Sequence, residues 1–170
     1  YLLAEIEHGD RVINLLAVHL HPYRFSTDSL REGMGQLAQG QPGRLVELRN
    51  ESLGVVQAQG AQSQALLQRV GRFADPTVLT GDFNSTRDAA LHASLRGHLT
   101  DAFERGGSGF GGTMHFLDRI PLRIDYIYAT HDFGVRGAQV LPSGCSDHRP
   151  VLADLVLSRS TLTPPPQEAR

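Results

Sequence analysis

The sequence specifies an α/β fold, and two observations carry that expectation. Short runs of β-favouring apolar residues end in clusters of polar side chains, as at Arg11–Leu20 and Val78–Asn84. Between them, from Pro42 to Phe73, Leu and Val recur at helical spacing. The 170 residues suit one domain, placed at 1–160, with 40% hydrophobic and 20% charged residues.

Taken in order, Tyr1–His8 and Arg11–Leu20 flank Gly9-Asp10 and read as a β-hairpin. The second strand is apolar enough to be buried on both faces. Pro22 stops it and holds His21 extended, so His19 falls at a strand's C-terminal end. His19 also reads as a satisfied core histidine, and His21 as a neighbour only. Tyr23–Gly43 is polar and reads as a loop with at most a short helix near Ser29–Gln39. Pro42 suits a first helical turn. Gly54 and Gly60 leave open whether one bent helix or two shorter ones follow, with Gln57–Gln68 as a solvated face.

Asp75-Pro76 ends the helix, and Val78-Leu79-Thr80-Gly81-Asp82-Phe83-Asn84 reads as a buried strand running into a loop. Alternation places Asp82 and Asn84 on one side and Phe83 on the other. A carboxylate and a carboxamide so placed suit a hard divalent cation, although an Asx turn explains them equally well locally. Ser85 and Asp88 resemble a capping box for a helix over 86–96 that buries Ala89, Ala90, Leu91 and Leu95. A helical piece over 100–105 precedes the glycine-rich tract 106–112. That tract lacks the strand and Lys of a phosphate-binding loop and reads as a mobile loop over a site. Strands are expected at 122–129, 134–141 and 151–157, and 161–170, with three consecutive prolines, as a disordered tail.

Composition excludes several functions. The formal net charge of −2 argues against a protein that coats duplex DNA, so nucleic-acid contact should be local and metal-assisted. The single cysteine, Cys145, excludes an internal disulfide and a Cys-based zinc site, and reads as a small buried filler. His8, His92, His98, His115 and His131 lack metal-ligand spacing and read as surface or loop residues. No apolar run approaches the ~18 residues of a membrane span. The chain opens on Tyr1 in strand-like sequence, which suggests a piece of something longer.

Gly81-Asp82-Phe83-Asn84, Arg123-Ile124-Asp125-Tyr126 and Ser146-Asp147-His148-Arg149-Pro150 resemble, in that order, the last three motifs of the endonuclease/exonuclease/phosphatase superfamily. Val18-His19-Leu20 matches a fourth. The resemblance runs from about Val12 to Leu157. It implies the deoxyribonuclease I-like fold, a four-layer α/β sandwich of two similar halves with mixed or antiparallel sheets and flanking helices. It also implies metal-dependent hydrolysis of a phosphate ester. Asp82 and Asn84 match the acid and amide beside the attacking water and metal, and Asp147 matches a metal ligand. His148 matches the histidine at the scissile phosphate, itself a candidate ligand, and Asp125 the carboxylate orienting it. His19 matches a second phosphate-side histidine. Mg²⁺ (or Mn²⁺) suits so sparse a carboxylate set.

The same resemblance implies an upstream Asn and a Glu metal ligand. Glu5 and Glu7 lie outside the family's context for that ligand, so the role is not transferred to them. The chain is therefore expected to be the C-terminal portion of a domain, weakly active or inactive alone, with an exposed sheet face suited to the missing half or to a homodimer. A phosphodiesterase is expected, with a nuclease ahead of a lipid or small-molecule phosphodiesterase or phosphatase. Arg123-Ile124-Asp125 stands where the inositol-phosphate branch carries Cys-Asp-Arg, and no Trp precedes Arg123 as in abasic-site nucleases. A non-catalytic binding module on the same fold is the alternative of a different class.

Overall fold

The computed structural model describes residues 1–22, 27–41, 43–116 and 119–158. Strand β1 (Leu2–His8) turns at Gly9 (φ +66°) into β2 (Arg11–His19), antiparallel to it. Helices α1 (Thr27–Ala38) and α2 (Gly43–Val70) follow and cross over to β3 (Thr77–Asp82), which pairs parallel to β2. Next come α3 (Ala90–Arg96), the two-residue strand β4 (Thr100–Asp101) and α4 (Ala102–Gly106). Strands β5 (Met114–Phe116) and β6 (Ile120–Leu122) form a small hairpin. β7 (Asp125–Ala129) returns antiparallel to β3, completing a five-stranded sheet in the order β1-β2-β3-β7-β4. β8 (Phe133–Val140) and β9 (Val151–Leu157) make a separate antiparallel pair that packs on α4 and β7.

The core lies on one face of the large sheet. Leu16 and Val18 of β2, Leu79 of β3, and Tyr126 and Tyr128 of β7 meet Leu66 and Val70 of α2 and Leu91 and Leu95 of α3, with Phe83 among them. The expected burial of β2 on both faces is corrected: Asn14, Leu16 and Val18 are buried, while Ile13, Leu15 and Ala17 on the other face are only half-buried. Helices cover one side of the strand, and no comparable layer covers the other among the described residues.

Several local expectations change for identifiable reasons. α1 forms where a short helix near Ser29–Gln39 was expected, starting two residues earlier. α2 is one helix of 28 residues rather than two, since a side chain at Gly54 or Gly60 would meet nothing within 4 Å and neither glycine marks a break. Burial of Leu48, Val55, Leu66 and Val70 holds it to the core. Pro42, the tail at 161–170 expected to be disordered, and residues 23–26 lie outside the described residues. α3 begins at Ala90, not at residue 86, because the Ser85 hydroxyl bonds to His92 Nε2 (2.9 Å) instead of capping a helix. The piece expected as helix over 100–105 opens as β4. Asp101 then caps α4, its carboxylate accepting from the Phe103 and Glu104 amides. The single strand expected at 122–129 is interrupted at Arg123-Ile124, where Thr113 Oγ1 accepts from the Ile124 and Asp125 amides, both at 3.2 Å. Cys145 is exposed rather than a buried filler.

Gly81 sets how closely β2 and β3 approach. Its φ is +137°, and a Cβ there would sit 2.0 Å from the Val18 carbonyl oxygen. Both backbone conformation and space demand glycine. Gly81→Ala is expected to destabilise the chain by about 2–3 kcal/mol, read as a lower urea midpoint. A midpoint unchanged from wild type would show that β2 and β3 do not meet this closely.

Candidate active site

The sheet's register assembles the site. β2 pairs His19 with Asp82, and β7 pairs Asp82 with Asp125, so one transverse row across three strands carries an imidazole and two carboxylates. The row sits where β2 and β3 end and β7 begins. His148 arrives from the segment before β9, held by an isolated bridge to Met114 and by the Arg149 amide donating to the Thr113 carbonyl (2.6 Å). Its Nδ1 lies 2.9 Å from Asp125 Oδ2. Ligand-type atoms of Asp82, Asp125 and His148 all fall within 4.8 Å of one another. His19 Nε2 is 3.7 Å from Asp82 Oδ2 on a side chain that is 72% exposed, so it reads as a solvent-facing partner rather than a core histidine.

Asn84 departs from the simple extended picture. It adopts a left-handed backbone (φ +47°), which Asn tolerates better than most residues. Asp82 Oδ1 accepts from the Asn84 amide (2.7 Å), forming an Asx turn. Asn84 Nδ2 donates to Asp82 Oδ2 and to the Leu20 carbonyl, both at 3.0 Å. Because that carbonyl can only accept, the amide orientation is fixed, and Oδ1 remains the acceptor side. The turn and the polar site are therefore the same structure. Asp147 is exposed, with Ser146 Oγ 3.5 Å from its Oδ1. It does not belong to the Asp82–Asp125–His148 group, although its charge reaches His148.

Electrostatics within the group oppose one another. Burial raises the Asp82 pKa, the Asn84 amide opposes this, Asp125 adds to the rise, and His148 and His19 lower it. At His148 burial pulls the imidazole pKa down, but the hydrogen bond and charge of Asp125, then Asp82 and Asp147, outweigh it and leave it raised. Asp125 thus orients the ring and favours its cationic form.

Beneath the row lies a layer that sequence reading assigned to the surface or left out. His92 is fully buried, which corrects the expectation of a surface residue. Its Nε2 faces both Ser85 Oγ (2.9 Å) and the Ser85 carbonyl (3.2 Å), and its Nδ1 faces Tyr128 OH (2.8 Å). The carbonyl must accept, which places the proton on Nε2 and makes Nδ1 the acceptor for Tyr128. The residue following Asn84 is thereby tied to α3 and β7. Leu91 and Leu95, at helical spacing, were the available signal, since His92 adjoins them. Arg123 is buried too, paired through both terminal nitrogens with Asp101 (3.2 and 2.9 Å) rather than with Asp125. It lies 4.7 Å from the Tyr126 ring centroid and 5.4 Å from that of Phe103. This leaves Asp125 free for His148.

With this geometry in view, the comparisons identify the family. The endonuclease/exonuclease/phosphatase family model matches residues 5–148, and the chain belongs to that family. A Bacteroides vulgatus endonuclease/exonuclease/phosphatase structure is 27% identical with a TM-score of 0.51, covering 60% of this chain and 45% of its own. A Beutenbergia cavernae endonuclease/exonuclease/phosphatase is 21% identical with a TM-score of 0.64, covering 92% and 39%. The human Nocturnin catalytic domain with bound sulfate anion is 19% identical with a TM-score of 0.54, covering 92% and 51%. The fold is deoxyribonuclease I-like, and the chain spans about half or less of each of these structures. No curated protein matches.

Two measurements check this layer. Burial lowers the His92 pKa from 6.5 to about 4, so between those values the unfolded chain binds a proton that the folded chain does not. This contribution to stability is complete above pH 6.5 and falls by up to about 3 kcal/mol as pH drops towards 4. His92→Gln should be less stable at pH 7 and lose less stability over that window, measured by urea unfolding. Separately, Asp125→Asn should lower the His148 pKa, followed by ring-proton NMR, because burial would then act without its main opponent. An unmoved titration would mean that the pair is not formed.

Proposed function

We propose that the chain carries the chemical core of a divalent-metal-dependent phosphodiesterase, with nucleic acid favoured as substrate. The convergence of Asp82, Asp125 and His148 through one sheet register carries this reading. Family membership supports phosphoric ester hydrolysis in general. The activity, the metal and the substrate of the whole protein belong to the proposal.

The donor set fits a hard cation. Two carboxylates lie close together, and burial and Asp125 raise the Asp82 pKa against the opposing pull of the Asn84 amide, His148 and His19. Asp82 through its carboxylate and Asn84 through Oδ1 are the residues that would hold Mg²⁺ (or Mn²⁺), with the exposed Asp147 as a further donor, whereas His148 as imidazolium has no lone pair for the ion. Bound there, the cation supplies charge neutralisation for phosphoryl oxygens and a lowered pKa for water.

The protein's own groups divide the remaining work. Asp82 and Asn84, fixed by their shared Asx turn, orient the attacking water between an anionic acceptor and an amide oxygen. His148, held by Asp125 and favoured as imidazolium, donates to a phosphoryl oxygen as negative charge develops. His19, largely exposed beside Asp82, approaches the same phosphate from the β2 side. Asn and Glu residues expected from the resemblance would complete the metal shell from the length of the related structures that this chain does not span.

The test is hydrolysis of bis(p-nitrophenyl) phosphate and single-stranded DNA with Mg²⁺ or Mn²⁺. Activity should vanish with EDTA, and Asp82→Asn or His148→Ala should lower kcat/KM about 10²–10⁴-fold. A rate that survives EDTA, or either substitution, defeats the proposal.

A further inference from the structure

A buried carboxamide on α2 reaches the polar strand ends from outside the sheet, and the chemistry above does not use it. Leu48, Val55, Gln59, Leu66 and Val70 are buried along one stripe of that helix, at helical spacing. Four of them are apolar, and Gln59, 8% exposed, is the exception. It belongs to the glutamine run expected as a solvated face, and its burial corrects that expectation at this position. Burying a carboxamide is costly unless it is hydrogen-bonded, so its partners indicate its role.

Both partners are backbone carbonyls just beyond the ends of β2 and β3. Gln59 Nε2 donates to the His21 carbonyl (2.8 Å) and to the Asn84 carbonyl (3.0 Å). Carbonyls only accept, so the orientation of the Gln59 amide is fixed and both its protons are engaged. Three residues on, Gln62 Oε1 accepts from the His21 amide (2.8 Å). α2 therefore holds His21 through both of its backbone groups. Among the described residues the last backbone bond between β2 and β3 runs from the Leu20 amide to the Asp82 carbonyl (2.9 Å). Gln59 ties the two chains together past that point, where the ladder no longer does.

The tie bears on Asn84 in two ways. A left-handed backbone (φ +47°) is strained for a residue with a side chain, and the Gln59 bond to the Asn84 carbonyl helps to hold it. The Asn84 side chain also donates through Nδ2 to the Leu20 carbonyl (3.0 Å), while Gln59 takes the next carbonyl along, that of His21. Gln59 thus fixes both the Asn84 main chain and the peptide beside the one that its side chain grips. A contact needed for stability alone would be met by an apolar residue, as at the other four positions of the stripe. Two directed hydrogen bonds instead specify where each carbonyl lies.

We propose that Gln59 is a positioning residue of the cation site, setting Asn84 Oδ1 relative to the Asp82 carboxylate. The proposal deepens the metal-dependent reading above and rests on it. Asp82 and Asn84 are the groups that would touch the ion, and Gln59 acts only through the backbone of Asn84 and His21.

Mg²⁺ titrations of the chain followed by amide NMR, with urea unfolding of each variant alongside, test it. Gln59→Met keeps the length of the side chain and removes both donors, and it should weaken Mg²⁺ binding about tenfold. Gln59→Asn, which keeps a carboxamide one methylene short of the two carbonyls, should fold more readily and show the same loss. Val70→Ala, a cavity in the same buried stripe, should lower the urea midpoint and leave the Mg²⁺ affinity unchanged. The amide pattern of each variant reports that it is folded. Wild-type affinity in either Gln59 variant, or an equal loss of affinity in Val70→Ala, overturns the positioning role and leaves the metal site standing. Absence of any Mg²⁺ response at Asp82 and Asn84 in the wild type overturns the metal-dependent reading and the positioning role with it.

Discussion

The transverse pairing of His19, Asp82 and Asp125 is the constraint from which the rest of the site follows. Adjacent strands hold these positions at a fixed spacing, and a slip of one residue in either pairing would send a carboxylate to the other face. The ladder continues beyond the row: the Leu20 amide donates to the Asp82 carbonyl, and the Phe83 amide to that of Ile124, both at 2.9 Å. Backbone bonds on both sides of Asp82 therefore oppose a slip. Gly81 permits this pairing, since the parallel strands approach too closely there for any side chain. Precision at the polar groups thus comes from backbone geometry before any side-chain contact is made.

Beneath that row the protein uses buried polar groups where a purely apolar layer would leave the loop ends free. Ser85 is held by His92, which Tyr128 holds in turn, and Arg123 is locked to Asp101 under the Tyr126 ring. Such pairs are poor sources of net stability, because desolvation offsets most of the attraction. Their geometric effect is clearer. Each links a residue next to a site position with a neighbouring element: Ser85 follows Asn84, and Arg123 stands two before Asp125. Thr113 does the same from the third side, bonding the Ile124 and Asp125 amides through its hydroxyl and Arg149 through its carbonyl. A wrong rotamer at the site would then leave a buried group unpaired, which is costly.

How far the sequence disclosed this structure follows from the kind of interaction involved. Apolar periodicity located β2, β3, β7 and α2, because each buries a face of its own. The strand ends bearing His19 and Asp82 came with them, whereas Asp125, expected inside a strand over 122–129, opens β7. Asn84 was misplaced in conformation though not in position, since alternation cannot foresee a left-handed residue that its own side chain stabilises. Ser85 looked like a helix cap because Ser and Asp three apart fit that pattern, but its hydroxyl had a partner at His92 that only tertiary structure supplies. Arg123 finds its partner at Asp101, 22 positions away, where no spacing rule reaches. Asp147 adjoins His148 in sequence, yet the bridge to Met114 turns the imidazole inward and leaves the carboxylate in solvent.

Charge is arranged unevenly along the cleft, and this bears on how an anionic ester could be held by a chain of net charge −2. Asp82 and Asp125 lie at one end, where a phosphate would be repelled unless positive charge intervened. His148, raised in pKa by those same carboxylates, stands beside them, and Arg149 follows it in the chain. The carboxylates therefore favour the imidazolium form of His148. The cluster is polar, with acids and a cationic ring side by side, which a uniformly basic groove would not be.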